Sequence, residues 1–238
     1  MPYHFNECTV IMIIDESDIV KRYFIKVPDE IPFSFKAGQF ILLDLPIESK
    51  VTTRGYSIAS APSNDNIFEL AIVLNPQGIG TPYLFNQVKV GSTVKVSQVL
   101  GKFLLPEDID SDLCFVCTGT GIAPLRSMTL DIFNKNIAHK DIYLIFGNRW
   151  VKDILYRKEI EAISEQHPEF RFFPVLSRMN DGWEGRTGYV HPVYEELFID
   201  KRPAYFYVCG WPPMIKEARQ RIEAMGYDRK RIKFELYD

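Results

Sequence analysis

From residue 112 onward the chain keeps a steady beat. DLCFVCTG, DIYLIFG, FRFFPVLS, AYFYVCG and RIKFELYD are short runs rich in apolar and aromatic residues, and they begin roughly 30 residues apart, the length of a repeated strand–helix–strand unit. The stretches between several of them read as helices. DILYRKEIEAISEQH has apolar residues at 154, 155, 160 and 163 and Asp153 as its N-cap. PPMIKEARQRIEAMG opens on prolines and ends at Gly226, a start and a stop in the expected order. The pattern predicts an α/β domain with a doubly wound, parallel, five-stranded sheet and ligands at the carboxyl ends of its strands.

The first hundred residues have another rhythm. TVIMIIDE, IVKRYFIKV, GQFILLDLP, RGYSIAS, IFELAIVLN and STVKVSQVL are strand-like, with PDEIP, PIESK, APSNDN and NPQGIG between them. Six short strands so punctuated suggest an antiparallel barrel or sandwich. One helix interrupts them, TPYLFNQV at 81–88, with Thr81 as N-cap and Pro82 in the first turn. The change of rhythm lies near LLPEDIDSD, dividing 238 residues into domains at 1–106 and 107–238.

A formal charge of −3 disfavours a general attraction to nucleic acid or anionic lipid. No run approaches the roughly 20 apolar residues of a membrane span, and the N-terminus lacks signal-peptide features, so the expected location is the cytoplasm, without membrane insertion. Cys8, Cys114, Cys117 and Cys209 do not space like a disulfide framework. Cys114 and Cys117 form a C-x-x-C, but within a buried strand, and no second pair completes a metal site; no metal is expected.

Three stretches carry chemistry. In RGYSIAS, strand alternation puts Arg54 and Tyr56 on one face, a permanent charge beside an aromatic plate. In NPQGIGTPYLF, Gly78 and Gly80 admit close backbone approach, and the helix that follows offers bare N–H groups to an anion. Together they suit a phosphate-bearing flavin, or equally a surface arginine, a core tyrosine and an ordinary turn. CTGTGIAPLRSM is a strand, a glycine turn and a helix, able to admit a pyrophosphate, although Gly119 and Gly121 fall short of the full G-x-G-x-x-G fingerprint. Finally Arg149, Arg178 and Arg186 gather in the loops after the strands of the second half, as expected if a nucleotide phosphate lies across these strand ends, although helix caps and solvated loops also collect charge.

R-x-Y-S at 54–57, G-x-x-[ST] at 78–81, G-T-G-I-A-P at 119–124 and C-G-x-P-x-M at 209–214 occur in one order, and the chain ends FELYD. With these motifs the whole chain resembles the ferredoxin–NADP⁺ reductase superfamily, a flavin-binding β-barrel followed by a nicotinamide-nucleotide domain. The resemblance implies FAD held by Arg54, Tyr56, Ser57 and Ile58, with Gly78, Gly80 and Thr81 at its phosphates. It implies NADPH or NADH at Thr118, Gly119, Thr120, Gly121, Arg149, Ser177, Arg178, Cys209 and Gly210, with Tyr237 over the flavin's other face. Ser57, Cys209 and Glu235 are the candidate catalytic residues, Ser57 near flavin N5 and Cys209 in a positioning role. Strict alternation turns Ser57 away from Tyr56, so a twist or bulge is expected to bring both to the ring.

The chemistry implied is hydride transfer between NAD(P)H and flavin, with Arg178 favouring NADPH through its 2′-phosphate. Electrons then pass to a small separate carrier of the ferredoxin or flavodoxin type. The alternatives are free flavin or ferric chelates as acceptor, or a non-catalytic flavin-binding electron-transfer subunit of a larger complex. No cysteine run of the kind that ligates an iron–sulfur cluster is present. Nothing in the residues specifies an oligomeric state.

Overall fold

The computed structural model of the protein describes residues 3–178 and 182–236; Tyr237 lies outside the described residues. Two compact units are distinguished, Met1–Leu105 with Ala123–Lys135, and Pro106–Ile122 with Asn136–Asp238.

In the first unit, strands β1 (Phe5–Ser17), β2 (Val20–Lys26), β3 (Phe40–Asp44), β4 (Thr53–Ser57), β5 (Ile67–Val73) and β6 (Thr93–Ser97) lie in the order β4-β3-β6-β1-β2-β5, and every pairing is antiparallel. A bridge between Ile58 and Leu70 joins the two outer strands and closes the sheet into a barrel. Alternation builds its core: Tyr23 and Ile25, Ile41 and Leu43, Phe68, Leu70 and Ile72, Val94 and Val96 are all buried. Helix α1 (Gly80–Gln87) sits between β5 and β6 in the chain and contributes Leu84 to that core.

The second unit holds β7 (Asp112–Thr118), β8 (Ile142–Asn148), β9 (Phe170–Leu176), β10 (Arg186–Thr187), β11 (Ala204–Gly210) and β12 (Ile232–Leu236), in the order β10-β9-β8-β7-β11-β12 and parallel throughout. The five expected strands are present, and the two-residue β10 adds a sixth at one edge. Residues 113–117 of β7 are fully buried, as a central parallel strand covered on both faces requires. Cys114 and Cys117 therefore lie three positions apart on opposite faces of a core strand, and burial raises both thiols well above their ordinary value. The chain winds outward from β7 to β10, then returns to β7's other side with β11. The order reverses between β7 and β11, where such sheets leave a crevice at their carboxyl ends.

Helix α2 (Ile122–Asn134) follows β7; α3 (Arg157–Gln166), α4 (His191–Leu197) and α5 (Pro212–Ala224) complete the set. Residues 123–135 cluster with the barrel unit rather than with the sheet that precedes them in the chain. Two expected helix starts are corrected. Helix α1 begins at Gly80 with Ile79 as N-cap, because the Thr81 hydroxyl is engaged by Asn75, accepting from its N–H at 2.8 Å and donating to its carbonyl at 3.3 Å. Helix α3 begins at Arg157 and not after Asp153, since Tyr156 takes a left-handed conformation (φ 54°) that interrupts the helical path. Among the described residues no helix is long and apolar enough to cross a membrane, and no cluster of His, Cys, Asp or Glu could hold a metal.

Candidate functional site

Strand β4 brings R-x-Y-S against β3 in a regular ladder, Arg54 opposite Leu43, Tyr56 opposite Ile41 and Ser57 opposite Phe40. Arg54 and Tyr56 share a face, as alternation demands. The expected bulge is not found: the ladder runs to Ser57 without a register shift, leaving Ser57 on the opposite face and buried. Ile58 then leaves β3, donating to the Gln39 carbonyl at 3.0 Å and bridging to Leu70. Tyr56 is partly buried against the barrel core, and burial pushes its hydroxyl up to about 12, so the ring stays an uncharged plate.

Arg54 lies beside the start of α1. A Cβ built on Gly80 would stand 3.3 Å from Arg54 Nε and 3.4 Å from Leu45 Cδ1, so only glycine lets the helix start this close to the guanidinium without a shift. Arg54 Nη1 donates to the carbonyls of Val51 at 2.7 Å and Thr53 at 2.8 Å, and no carboxylate among the described residues pairs with it. The first intrahelical bond of α1 runs from Tyr83 N to Ile79 O, at 3.2 Å; the amides of Gly80 and Thr81 precede it, and no side chain caps them. Barrel side chains fix the helix, Tyr23 Oη donating to the Leu84 carbonyl at 3.1 Å and Lys21 Nζ to that of Phe85 at 3.4 Å. Uncapped helical amides beside a guanidinium that lacks a carboxylate form an anion cradle, while Gly78 shapes the turn before it, donating to Asn75 O at 3.0 Å.

In the second unit, β7 ends at Thr118 and passes through a 3₁₀ turn, Gly119–Gly121, into α2. Gly119 has φ +53°, and a Cβ on it would meet nothing within 4 Å. Gly121 and Gly210 are the reverse. A Cβ on Gly121 would fall 2.6 Å from the Cys209 carbonyl carbon and 2.7 Å from Gly210 Cα. One on Gly210, at φ +129°, would fall 2.7 Å from the Thr118 carbonyl oxygen and strike its hydroxyl. Thr118 Oγ1 also accepts from Trp211 N at 3.0 Å. The motifs T-G-T-G and C-G thus meet backbone to backbone at the switch point, with Gly119 open to a ligand and Thr120 in the same turn.

Cys209 is fully buried and lies between Cys117 on β7 and Glu235 on β12 in the ladder. A fully buried thiol flanked by strands is packed and is not presented as a nucleophile.

Beyond β8 and β9, residues Arg149, Trp150, Ser177, Arg178 and Tyr189 line an open cleft of about 480 Å³. Ser177 is fixed by its amide and hydroxyl to the Asn148 carbonyl, at 2.9 and 3.3 Å, and Arg178 N donates to Arg149 O at 3.2 Å. The Arg178 guanidinium stands 5.9 Å from the Trp150 ring centre. No carboxylate among the described residues pairs with Arg149. Arg186 does not join this group: Glu196 binds its guanidinium through two bonds of 2.7 and 2.9 Å. Trp150 and Tyr189 were not anticipated as site residues, though each is an exposed large aromatic next to a glycine or arginine of a carboxyl-end loop, 38% and 72% exposed.

Residues 7–104 match the family described as Oxidoreductase FAD-binding domain, and residues 115–220 the Oxidoreductase NAD-binding domain. Ferredoxin–NADP reductase B of Sorangium cellulosum is 32% identical over 239 residues, covering 98% of this chain and 97% of that protein. The phenol hydroxylase P5 protein of Acinetobacter pittii is 33% identical over 216 residues, and there the match covers 89% of this chain but only 60% of the relative. Among solved structures, a ferredoxin NADP⁺ reductase from Neisseria gonorrhoeae with bound FAD and NADP superposes with a TM-score of 0.83 at 26% identity, covering 98% of each chain. The chain belongs to the ferredoxin–NADP⁺ reductase superfamily and is an NAD(P)H-dependent flavoprotein oxidoreductase with FAD as its cofactor.

Proposed function

We propose that this oxidoreductase takes its electrons from NADPH and delivers them to a small separate carrier protein of the ferredoxin or flavodoxin type. The observation that carries the coenzyme choice is the cleft of Arg149, Ser177 and Arg178, two guanidiniums and a hydroxyl beside two aromatic rings. Such a set matches an adenine nucleotide bearing an additional phosphate monoester. The carrier is supported by the Sorangium relative, matched over nearly its whole length.

FAD supplies the redox chemistry, accepting a hydride from a nicotinamide and releasing electrons one or two at a time. The chain's own residues bind and orient. Arg54 and the amides of Gly80 and Thr81 are assigned to the flavin phosphates, with Gly78 shaping the approach. Tyr56 offers its ring face, while Ser57 and Ile58, both buried, hold the end of the strand that carries it. Thr118, Gly119, Thr120 and Gly121 are assigned to the dinucleotide phosphates at the switch point. Cys209 and Gly210 form a close-packed floor for the nicotinamide, with Glu235 beside them as the acidic group. Tyr237 is assigned to cover the flavin.

Arg178→Ala tests the coenzyme choice. It is expected to lower kcat/KM for NADPH by about 10–100-fold, the worth of a charged hydrogen bond, and to affect NADH far less. Equal losses with both nicotinamides would remove the NADPH assignment. For the acceptor, NADPH-driven reduction of ferredoxin or flavodoxin is measured against that of free FMN and ferric citrate; faster turnover with the small acceptors would make the protein a flavin or ferric reductase.

A further inference from the structure

Two side chains of α2 reach the backbone just beyond Ser57 and Ile58. Arg126 Nη1 donates to the Ala59 carbonyl at 2.7 Å, and Ser127 Oγ donates to the Ser60 carbonyl at 2.6 Å. Both side chains are buried, Arg126 8% and Ser127 0% exposed. Glu69 of β5 grips the same two residues from the other side. Its carbonyl accepts from Ala59 N at 2.8 Å, and its N–H donates to Ser60 Oγ at 3.1 Å. Its carboxylate, itself buried, takes Arg126 Nη1 at 3.2 Å on one oxygen and Arg22 Nε at 2.6 Å on the other. Arg22 also reaches Glu16 at 3.3 Å. A carboxylate thus bridges two guanidiniums inside the barrel unit, and one of them aims a proton at the chain that leaves R-x-Y-S.

Stability alone does not call for this arrangement, because well-packed apolar side chains of similar volume often replace buried ion triads without loss. A guanidinium adds direction: its planar fork fixes where a bound carbonyl oxygen lies. We propose that Arg126 and Ser127 are positioning residues for the flavin site, holding Ala59 and Ser60 so that the buried Ser57–Ile58 segment anchors the end of β4 and fixes where Arg54 and Tyr56 meet the flavin. They lie within the stretch that matches the NAD-binding family, yet they belong to the barrel unit. The inference rests on the assignment of flavin to the R-x-Y-S segment.

The test uses the full chain as Arg126→Met, Arg126→Lys and Ser127→Ala, with Arg54→Ala alongside. FAD affinity is measured on apoprotein, the midpoint potential on FAD-loaded protein, and melting temperature on both. Arg126→Met is expected to weaken FAD binding by about tenfold, the loss of one buried charged hydrogen bond, and to shift the potential. Ser127→Ala moves both in the same direction by less, and Arg126→Lys restores part of each. A merely structural role would lower the melting temperature and leave affinity and potential at wild-type values, and that result overturns the proposal. If Arg126→Met does not fold, Ser127→Ala decides on the same two readouts. If Arg54→Ala leaves FAD affinity unchanged, the flavin assignment itself falls and the clamp with it; if Arg54→Ala weakens FAD while the α2 variants do not, the clamp alone is refuted.

Discussion

Replacing Arg54 separates flavin binding from folding, and the structure sets the expected size of each effect. The side chain donates to two carbonyls, of Val51 just before β4 and of Thr53 at its first residue, neither bond fully buried. Water can take over both acceptors, so the apoprotein loses only about 0.5–1.5 kcal/mol, or roughly 1–6 °C in a chain of this size. No carboxylate among the described residues neutralises the guanidinium edge beside Gly80, so a phosphate there gains a charge-assisted bond of about 1.5–3 kcal/mol. Arg54→Ala is therefore expected to raise the FAD dissociation constant by roughly 10- to 150-fold, and Arg54→Lys by less, since a point charge stays but the fork is lost. The assay is titration of apoprotein with FAD, followed by quenching of flavin fluorescence, beside thermal melting of the same apoprotein. Unchanged affinity, or a loss of affinity no larger than the loss of apoprotein stability, would refute the phosphate assignment.

Gly210→Ala should cost about 1–3 kcal/mol for backbone strain and about 1–3 kcal/mol more for pushing Thr118 away, raising KM for NADPH, while Gly119→Ala, with open space around it, costs about 1 kcal/mol for its left-handed backbone. Equal melting temperatures for the two variants would contradict the close packing at the switch point. His191 is buried, hydrogen-bonded to Tyr194 at 2.9 Å, and its pKa lies below 6.5 because burial outweighs the opposing pull of Glu217 and Glu195, with Arg221 adding to the depression. The unfolded chain then takes up a proton that the folded one refuses, so stability is lost as pH falls below 6.5. The fall in melting temperature between about pH 7 and 5.5 should be shallower in His191→Gln, and an identical slope would exclude His191 as its source.

Both sheets were legible because their residues obey the periodicities of the two sheet types. β3 and β6 largely alternate in burial, whereas β7 is apolar and buried from Leu113 to Cys117. The motif glycines marked tight places, but the contacts that need them are within the protein: Gly80 packs against Arg54 and Leu45, Gly121 against Cys209 and Gly210, and Gly210 against Thr118. Helix starts were less so. Thr81 has the chemistry of an N-cap, but a turn six residues back claims its hydroxyl, and Tyr156 takes a conformation its side chain does not advertise. β10 is two residues whose pairing with β9 is decided by the fold alone. Arg186 looked like a phosphate ligand because its partner Glu196, ten positions away, is not marked by any motif. The Arg22–Glu69–Arg126 triad joins residues 47 and 57 positions apart, and pairing at that range becomes visible only once the barrel has closed.

The most direct test is anaerobic mixing of the FAD-loaded protein with NADPH and, separately, NADH while the visible absorbance of the oxidised flavin is followed. Bleaching by both, faster and at lower concentration with NADPH, is the predicted result. A protein that retains FAD yet is bleached by neither nicotinamide would contradict the claim that this chain carries electrons from one cofactor to the other.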